Sequence, residues 1–562
     1  MKSDFLTELE SEVLLFDGAM GTQLQQAGLG TDTAPEAWNL ENPKAIKKIH
    51  KSYLAAGSRV IQTNTFGANC IKLGKYDLED KVTEINQAAV EIAKEVQKDG
   101  YVAGSIGPLG KLFAPMGTLT FREGVDVFAE QIRALVNAGV DVISFETMND
   151  LQELRAAVVA AKEVTSEVPI IAQMTFDENL RSLSGTNPQI AATVLDSLGA
   201  DIIGANCSLG PQGLLEVLKA LNRTTDKPII IQPNAGLPEI VDGETVYQQS
   251  PEEMAEYIKR FVQEGANIIG GCCGTSPEHI KAFAEKLSRL EPKRSAADKK
   301  FRLASGMELV ELSEDSRSLM IGEQINTDSD KRLTEEIKDQ VEAGAQVLNI
   351  NVDGTDIDGV EIQQVVERVQ KTSRASMAID TADIEVLEAG LEAFVGKALI
   401  NSVTGREEDL NRILPLAKKY GAGLICSTVD DDGIPGTAEK RVEIAKRIKQ
   451  QTGEYGIAPE DLLINPVAVT VSSQQEAAIE TLQAIKLIKE HLDLKTVLQV
   501  DNISDKLPKR LLLDRTFISM ALGYGLDAYI IDPLNEEIRE TILAAEVLVN
   551  RDRDAERYIT EF

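Results

Sequence analysis

Basic charge, aromatic rings and cysteine are all scarce in this chain, and each scarcity removes a class of function. Lysine and arginine number 58 against 90 aspartates and glutamates, a formal net charge of −32 over 562 residues. So acidic a chain repels a phosphate backbone and an anionic lipid face, which argues against nucleic-acid and membrane partners. No stretch approaches the ~20 uninterrupted apolar residues of a membrane-crossing helix. Nor does Met1-Lys2-Ser3-Asp4-Phe5 open an apolar leader with a small-residue cleavage site. Five cysteines, few and odd in number, make no disulfide framework and suit a reducing cytoplasm. Aromatic residues are 4% of the chain while hydrophobic residues are 43%. Cores built from Ala, Val, Ile and Leu follow, the packing that (β/α)8 barrels use.

What is present is a repeating alternation of short apolar runs and longer amphipathic segments. Strands are predicted at 13–17, 59–63, 101–106, 140–146, 169–174, 201–207, 228–234 and 267–273. A second set follows at 320–324, 347–352, 377–380, 398–402, 423–428, 462–466, 496–501 and 528–532. Segments with helical spacing lie between them, for example 82–97, 125–138, 151–164 and 251–264. Gly139, Gly199 and Gly265 stand where helices should stop before the next strand. Eight strand–helix units twice over predict an α/β chain of two tandem (β/α)8 TIM barrels. The barrels span 1–290 and 318–562, joined by a charged, small-residue-rich linker at 291–317 in which 301–312 is ordered against a barrel. The last segment, 540–562, reads as a final helix with a charged tail. A doubly wound open sheet is the rival, disfavoured because no Gly-x-Gly-x-x-Gly follows a first strand.

Barrel active sites lie at the carboxyl ends of strands, and three cysteines fall there. Cys207 closes the sixth run, and Cys272 and Cys273 close the eighth within Gly270-Gly271-Cys272-Cys273-Gly274. Adjacent residues on an extended strand point to opposite faces, but the flanking glycines let the backbone turn. The competing readings are core packing of small thiols and a strained vicinal disulfide. Convergence at one barrel end favours zinc with one open coordination position. Three thiolates outweigh the dication, so such a centre generates hydroxide poorly and anchors a substrate thiol well. Alkyl transfer to sulfur fits that chemistry better than hydrolysis or hydride transfer. The other end of the substrate needs a partner. Asp17, Gly18 and Ala19 follow the first run, where glycines expose N–H groups to a carboxylate, and Glu146 at the fourth can pair with an ammonium. Asn234, between the two cysteine-bearing strands, is a candidate fourth zinc ligand when substrate is absent. Cys70 and Cys426 read as packing residues.

The second set of strands ends in amides and acids instead: Glu323, Asn326, Asp380, Asn401, Asn465 and Asn502. One such residue would be a loop cap. Six in register suit a heterocycle with many donors and acceptors, such as a pterin with its amino-pyrimidinone edge.

These elements carry resemblances. Asp17-Gly18-Ala19-Met20-Gly21-Thr22, Thr63-Asn64-Thr65-Phe66, Asn206-Cys207 and Gly270-Gly271-Cys272-Cys273-Gly274-Thr275 resemble the homocysteine S-methyltransferase family over about residues 8 to 290. That resemblance implies a zinc-bound homocysteine thiolate attacking a methyl group, with Asp17 and Glu146 near the amino-acid end. Ile321-Gly322-Glu323-Gln324-Ile325-Asn326, Ala378-Ile379-Asp380, Ile400-Asn401-Ser402 and Asn502-Ile503-Ser504 resemble the pterin-binding family over about residues 318 to 545. That family includes dihydropteroate synthases and methyltetrahydrofolate methyltransferases. It implies Asn401 and Asn502 against the pterin ring, with Asn502 on the N5 side, where methyltransferases carry Asn and synthases tend to carry Lys. The family usually has Asp where this chain has Asn465, so recognition leans on Asp380.

In that order the two modules resemble the amino-terminal half of cobalamin-dependent methionine synthases. The implied reaction moves methyl from 5-methyltetrahydrofolate to cobalamin and on to homocysteine. No Asp-x-His-x-x-Gly occurs, and the only histidines, His50, His279 and His491, fall in predicted helices. Cobalamin is therefore expected on a module or protein outside this chain, which reads as a fragment or as reliant on a separate corrinoid protein. The alternatives are an S-methyltransferase barrel fused to a dihydropteroate synthase-like enzyme, and a non-catalytic zinc- and folate-binding scaffold.

Overall fold

The computed structural model describes residues 2–114, 116–241, 244–288, 290–293, 297–313, 316–323, 325, 330–352 and 357–562. The chain divides into two compact units, Met1–Asp298 and Lys299–Phe562, and each is an α/β barrel.

In the first unit the apolar runs become β1 (Leu14–Leu15), β2 (Val60–Gln62), β3 (Tyr101–Ile106), β4 (Val142–Met148), β5 (Ile170–Met174), β6 (Ile202–Asn206), β7 (Ile229–Gln232), β8 (Pro238–Val241), β9 (Glu244–Tyr247) and β10 (Ala266–Ile269). All but β8 and β9 form one parallel sheet in the order β1-β10-β7-β6-β5-β4-β3-β2. It closes on itself through a parallel bridge between Phe16 and Val60 and a 2.7 Å bond from the Arg59 N–H to the Leu15 carbonyl. β8 and β9 are an antiparallel hairpin on the path from β7 to β10. Crossover helices run between the strands. Gly139, Gly199 and Gly265 all adopt positive φ at the expected helix ends, 88°, 85° and 101°. The interior is layered. Leu14, Phe16, Val60, Ala103, Val142, Ile171, Ile202, Ile230 and Ile268 form an apolar cluster, with Phe5 and Leu9 of the amino-terminal segment packed against it. Strand side chains repeat every two residues, so the next inward layer is Gln62, Ser105, Ser144, Gln173, Gly204, Gln232 and Gly270.

The second unit begins inside the span read as linker. β11 (Phe301–Ser305) and β12 (Leu309–Leu312) form an antiparallel hairpin. The barrel strands are β13 (Leu319–Gly322), β14 (Val347–Asn351) and β15 (Ser376–Asp380), then, after the short β16 (Gly396–Lys397), β17 (Leu399–Thr404), β18 (Gly423–Ser427), β19 (Leu462–Asn465), β20 (Lys495–Gln499) and β21 (Ala528–Ile531). They close as β13-β14-β15-β17-β18-β19-β20-β21. β11 also pairs with β16, immediately before β17, so the hairpin covers the amino-terminal mouth. Phe301, Leu303 and Leu312 join Ile321, Val347, Ala378, Leu399, Ile425, Leu463, Val497 and Ile530 in one buried cluster. Residues 301–312 are thus part of the second barrel's core. Two positions further along each strand come Glu323, Asn349, Asp380, Asn401, Ser427, Asn465, Gln499 and Asp532.

Candidate metal and pterin sites

The β6 and β10 ends bring the three cysteines together. Their sulfurs all lie within 4.8 Å of one another, and Cys207 Sγ is 3.8 Å from Cys273 Sγ. Four ligands at the usual zinc–sulfur distance stand about 3.8 Å apart around a tetrahedral ion, so the donor set fits that metal. Backbone hydrogen bonds fix the convergence. The Cys207 N–H donates to the Gln232 carbonyl at 3.2 Å and the Cys272 N–H to the Pro233 carbonyl at 2.9 Å. The Gly271 N–H reaches the Asp17 carbonyl at 3.0 Å. A Cβ on Gly271 would sit 2.3 Å from Thr275 Oγ1, so only glycine allows the turn that separates the adjacent cysteines. Cys207, Ser208 and Thr147 hold positive φ near 60° without being glycine, a conformation that persists only where surroundings enforce it. Asn206 supplies part of that enforcement. It accepts from the Thr147 N–H at 2.7 Å, donates to Thr147 Oγ1 at 2.8 Å and reaches Cys272 Sγ at 3.6 Å.

Crowding three thiols sets their ionisation. Hydrogen bonds from Cys207 and Cys272 pull the Cys273 thiol down to about 3. Cys272 is pushed well above its ordinary value by its bonds to the other two sulfurs and by burial. Cys207 rises to about 11. One thiolate forms readily, and the other two need positive charge between them. Tyr247, at the end of β9, is hydrogen-bonded to Cys273, with its phenol pushed up by burial and then by the sulfurs. Sequence alone offers no pointer to Tyr247 or Thr147, and it marks Asn206 only as a neighbour of Cys207 in the Asn206-Cys207 motif.

These sulfurs wall a cavity of about 300 Å³ that Asp17, Gly18, Ala19, Gln62, Ser105 and Glu146 also line. Asp17, which is buried, and Glu146 are its two acids. Burial first, then the charge of Glu146 among other effects, raises Asp17, while its bond from the Gln62 N–H at 2.9 Å opposes the rise. Burial lifts Glu146 to about 7, opposed by its Ser105 bond. Gln62 Nε2 donates to Glu146 Oε1 at 2.7 Å, and Ser105 Oγ donates to the same oxygen. Asp17 Oδ1 is buried with no hydrogen-bond partner among the described residues. The expectation that the turn after β1 offers free N–H groups meets a correction at Ala19, whose N–H donates to Thr275 Oγ1 at 3.1 Å. Asn234 is buried, its N–H donating to the Leu209 carbonyl at 3.1 Å, and its Oδ1 has no partner among the described residues. Cys426 is buried in β18, and Cys70 starts a short helix.

In the second barrel the acid and amides form a cluster. Asp380 Oδ2 accepts from three amides, Asn349 at 3.2 Å, Asn351 at 2.9 Å and Asn401 at 3.0 Å. Asn401 Nδ2 also reaches Asn349 Oδ1 at 3.3 Å. Asn349 and Asn351 alternate inside the run 347–352, where a reading of strand ends alone passes over them. Asn465 Oδ1 accepts from the Val467 N–H at 2.9 Å, which leaves its Nδ2 as a donor. Glu323 is raised by burial and by the charges of Asp501 and Asp532. Asn502 lies beyond β20 on the exposed side of a short 3-10 helix, Asp501–Ser504. Asn326 lies outside the described residues.

Residues 14–287 match the homocysteine S-methyltransferase family, and residues 307–532 match the pterin-binding enzyme family. Methionine synthase of Mycobacterium tuberculosis is 33% identical over 94% of this chain and 48% of its own length. Methionine synthase of Mycobacterium leprae is 32% identical over 99% of this chain and 50% of its own. The chain spans about half the length of these relatives. Among solved structures, homocysteine methyltransferase MmuM from Escherichia coli covers 51% of this chain and 100% of its own at 22% identity. Its metallated form gives a TM-score of 0.44 and its apo form 0.41. The chain is therefore methionine synthase-like, a homocysteine S-methyltransferase-family barrel followed by a pterin-binding-family barrel.

Proposed function

We propose that this chain carries the two substrate sites of a cobalamin-dependent methionine synthesis, in which methyl passes from 5-methyltetrahydrofolate to homocysteine. The observation that carries the reading is the three-sulfur cluster sharing one cavity of about 300 Å³ with the acids Asp17 and Glu146. A short amino-acid thiol, held by its sulfur and its ammonium group, suits that lining. Cys207, Cys272 and Cys273 hold zinc, and Asn234 is assigned to the fourth position in the absence of substrate. Bound zinc supplies the positive charge that lets the substrate thiol ionise while its sulfur stays nucleophilic. Glu146 and Asp17 take the ammonium group, with the Gly18–Ala19 turn beside them. The narrow cavity keeps the reacting sulfur in one orientation and excludes bulkier thiols.

In the second barrel Asp380, held by three amides, accepts from the pterin edge, Asn401 presents its side-chain oxygen as an acceptor, and Asn465 supplies a donor through Nδ2. Glu323 and Asn502 border the same mouth, Asn502 on the N5 side. An N5 amine departs only as it gains a proton, and the Asn502 side-chain oxygen, accepting from the N5–H, favours the protonated ring. The methyl carrier, cobalamin, is supplied by a domain or protein outside these 562 residues, which lets the two sites act without touching. The test is metal analysis of reduced protein, followed by assay with exogenous methylcobalamin and homocysteine. The reading requires one zinc per chain and slow methionine formation that Cys207→Ala abolishes. Methionine formation undiminished in that variant would refute it.

A further inference from the structure

We propose that Gln62, Gln232 and Gln173 form a one-way hydrogen-bond relay across the first barrel that fixes Glu146 as an acceptor and so selects thiols bearing an α-amino group. The inference rests on the assignment of Glu146 to the substrate ammonium.

The three glutamines come from three separated strands, β2, β7 and β5, and all are buried. Each follows an apolar core residue by two positions: Val60 then Gln62, Ile230 then Gln232, Ile171 then Gln173. The pleat therefore aims all three into one layer above the core. There they link end to end. Gln173 Nε2 donates to Gln232 Oε1 at 3.0 Å, Gln232 Nε2 to Gln62 Oε1 at 2.8 Å, and Gln62 Nε2 to Glu146 Oε1 at 2.7 Å.

The direction of this chain follows from its end. A carboxylate only accepts, so Gln62 must present its NH2 to Glu146. Its oxygen then faces Gln232, which must present NH2 in turn, and the same step fixes Gln173. Reversing any link would set two oxygens or two amides against each other. The one amide oxygen left over, Gln173 Oε1, is buried with no partner among the described residues, at the far end of the relay. Aligned amide dipoles polarise one another, so the positive ends of all three point at Glu146. Both bonds to Glu146, from Gln62 and Ser105, fall on Oε1, leaving Oε2 for the ligand. Gln62 also ties in the second acid, since its peptide N–H holds Asp17 Oδ2. Asp17 lines the cavity, and its other oxygen, Oδ1, is buried with no partner among the described residues. The glutamines touch no metal ligand side chain in these bonds. They act through Glu146, as positioning residues.

The experiment uses the full chain with cobalt in place of zinc, titrated by the thiolate-to-cobalt absorption band. Homocysteine is compared with 4-mercaptobutanoate, the same skeleton without the amine. Gln232→Met keeps the volume and cuts the relay. The expected result is a loss of about tenfold in the preference for homocysteine, with affinity for 4-mercaptobutanoate within about twofold of wild type. An unchanged preference in that variant overturns the relay. Should Gln232→Met take up less than one cobalt per chain, Gln173→Met, two links from Glu146, decides by the same criterion at about threefold. If wild type itself shows no preference between the thiols, the ammonium assignment of Glu146 falls, and the relay with it. That outcome is distinct from one in which wild type discriminates and the variants do too.

Discussion

The two barrels bury equivalent apolar layers and then diverge at the next inward position. In the first, the layer above the core is glutamine, serine and glycine, and the two strands that end in cysteine carry the glycines, Gly204 and Gly270. A Cβ at Gly204 would meet the Ile230 carbonyl oxygen at 2.2 Å, so β6 and β7 draw together beneath the sulfurs. In the second, the same layer holds two carboxylates beyond Asp380, three asparagines, a glutamine and a serine, with no glycine among the eight positions. On the proposed reading, one mouth is thinned to make room for a metal and a small thiol. On the same reading, the other is filled with amides and acids that meet the edge of a flat heterocycle. The scaffold decides where a side chain points, and the residue two steps past the core decides the chemistry.

The largest effect expected from breaking one mouth alone is at the sulfurs. Cys207→Ala or Cys272→Ala should remove stoichiometric zinc and cut methionine formation from methylcobalamin by more than about 10³-fold. Folate binding, followed by fluorescence titration, should stay within about twofold, because the second site lies on another barrel. Next, Asp380→Ala should weaken methyltetrahydrofolate binding about a hundredfold, close to 3 kcal/mol. It strips the partner from three amides at once, and zinc content should not change.

A third effect is one of pH. Glu146 sits at about 7 because burial raises it, and only its carboxylate form pairs with an ammonium. Preference for homocysteine over 4-mercaptobutanoate should therefore be full above that value and decline as pH falls through it. Glu146→Gln should give a low, flat profile. The stability sign is opposite: an acid raised in the folded state favours folding while it is protonated, and that contribution is lost as pH rises through about 7. The smallest effect is at Asn351, one of three amides that donate to Asp380 Oδ2 among the described residues. Asn351→Ala should cost about fivefold in folate affinity, read by the same titration.

Much of this was legible in the sequence because the signals were periodic. Each predicted run overlaps a barrel strand, although β1 is only Leu14–Leu15 where 13–17 was expected and β10 ends at Ile269 where 273 was expected. The cysteine cluster was legible because glycines flank it at a strand end. What escaped was polar and lay one pleat earlier. Gln62, Gln173 and Gln232 look like ordinary strand ends until the two-residue period is counted from the core, and Asn349 and Asn351 alternate within a strand. The β8–β9 hairpin also escaped, although Asp242-Gly243 between two short runs is a strong turn signal. Tyr247 went with it. Residues 301–312 alternate apolar and polar residues, Phe301, Leu303 and then Val310, Leu312, which marks a half-buried hairpin within what reads as linker.

The sharpest test is X-ray absorption at the zinc edge on reduced protein, before and after homocysteine is added. The account predicts one zinc per chain with three sulfur ligands and one lighter atom, rising to four sulfurs with the substrate. Protein that holds no zinc, or zinc whose sulfur count stays at three when homocysteine is saturating, would contradict it.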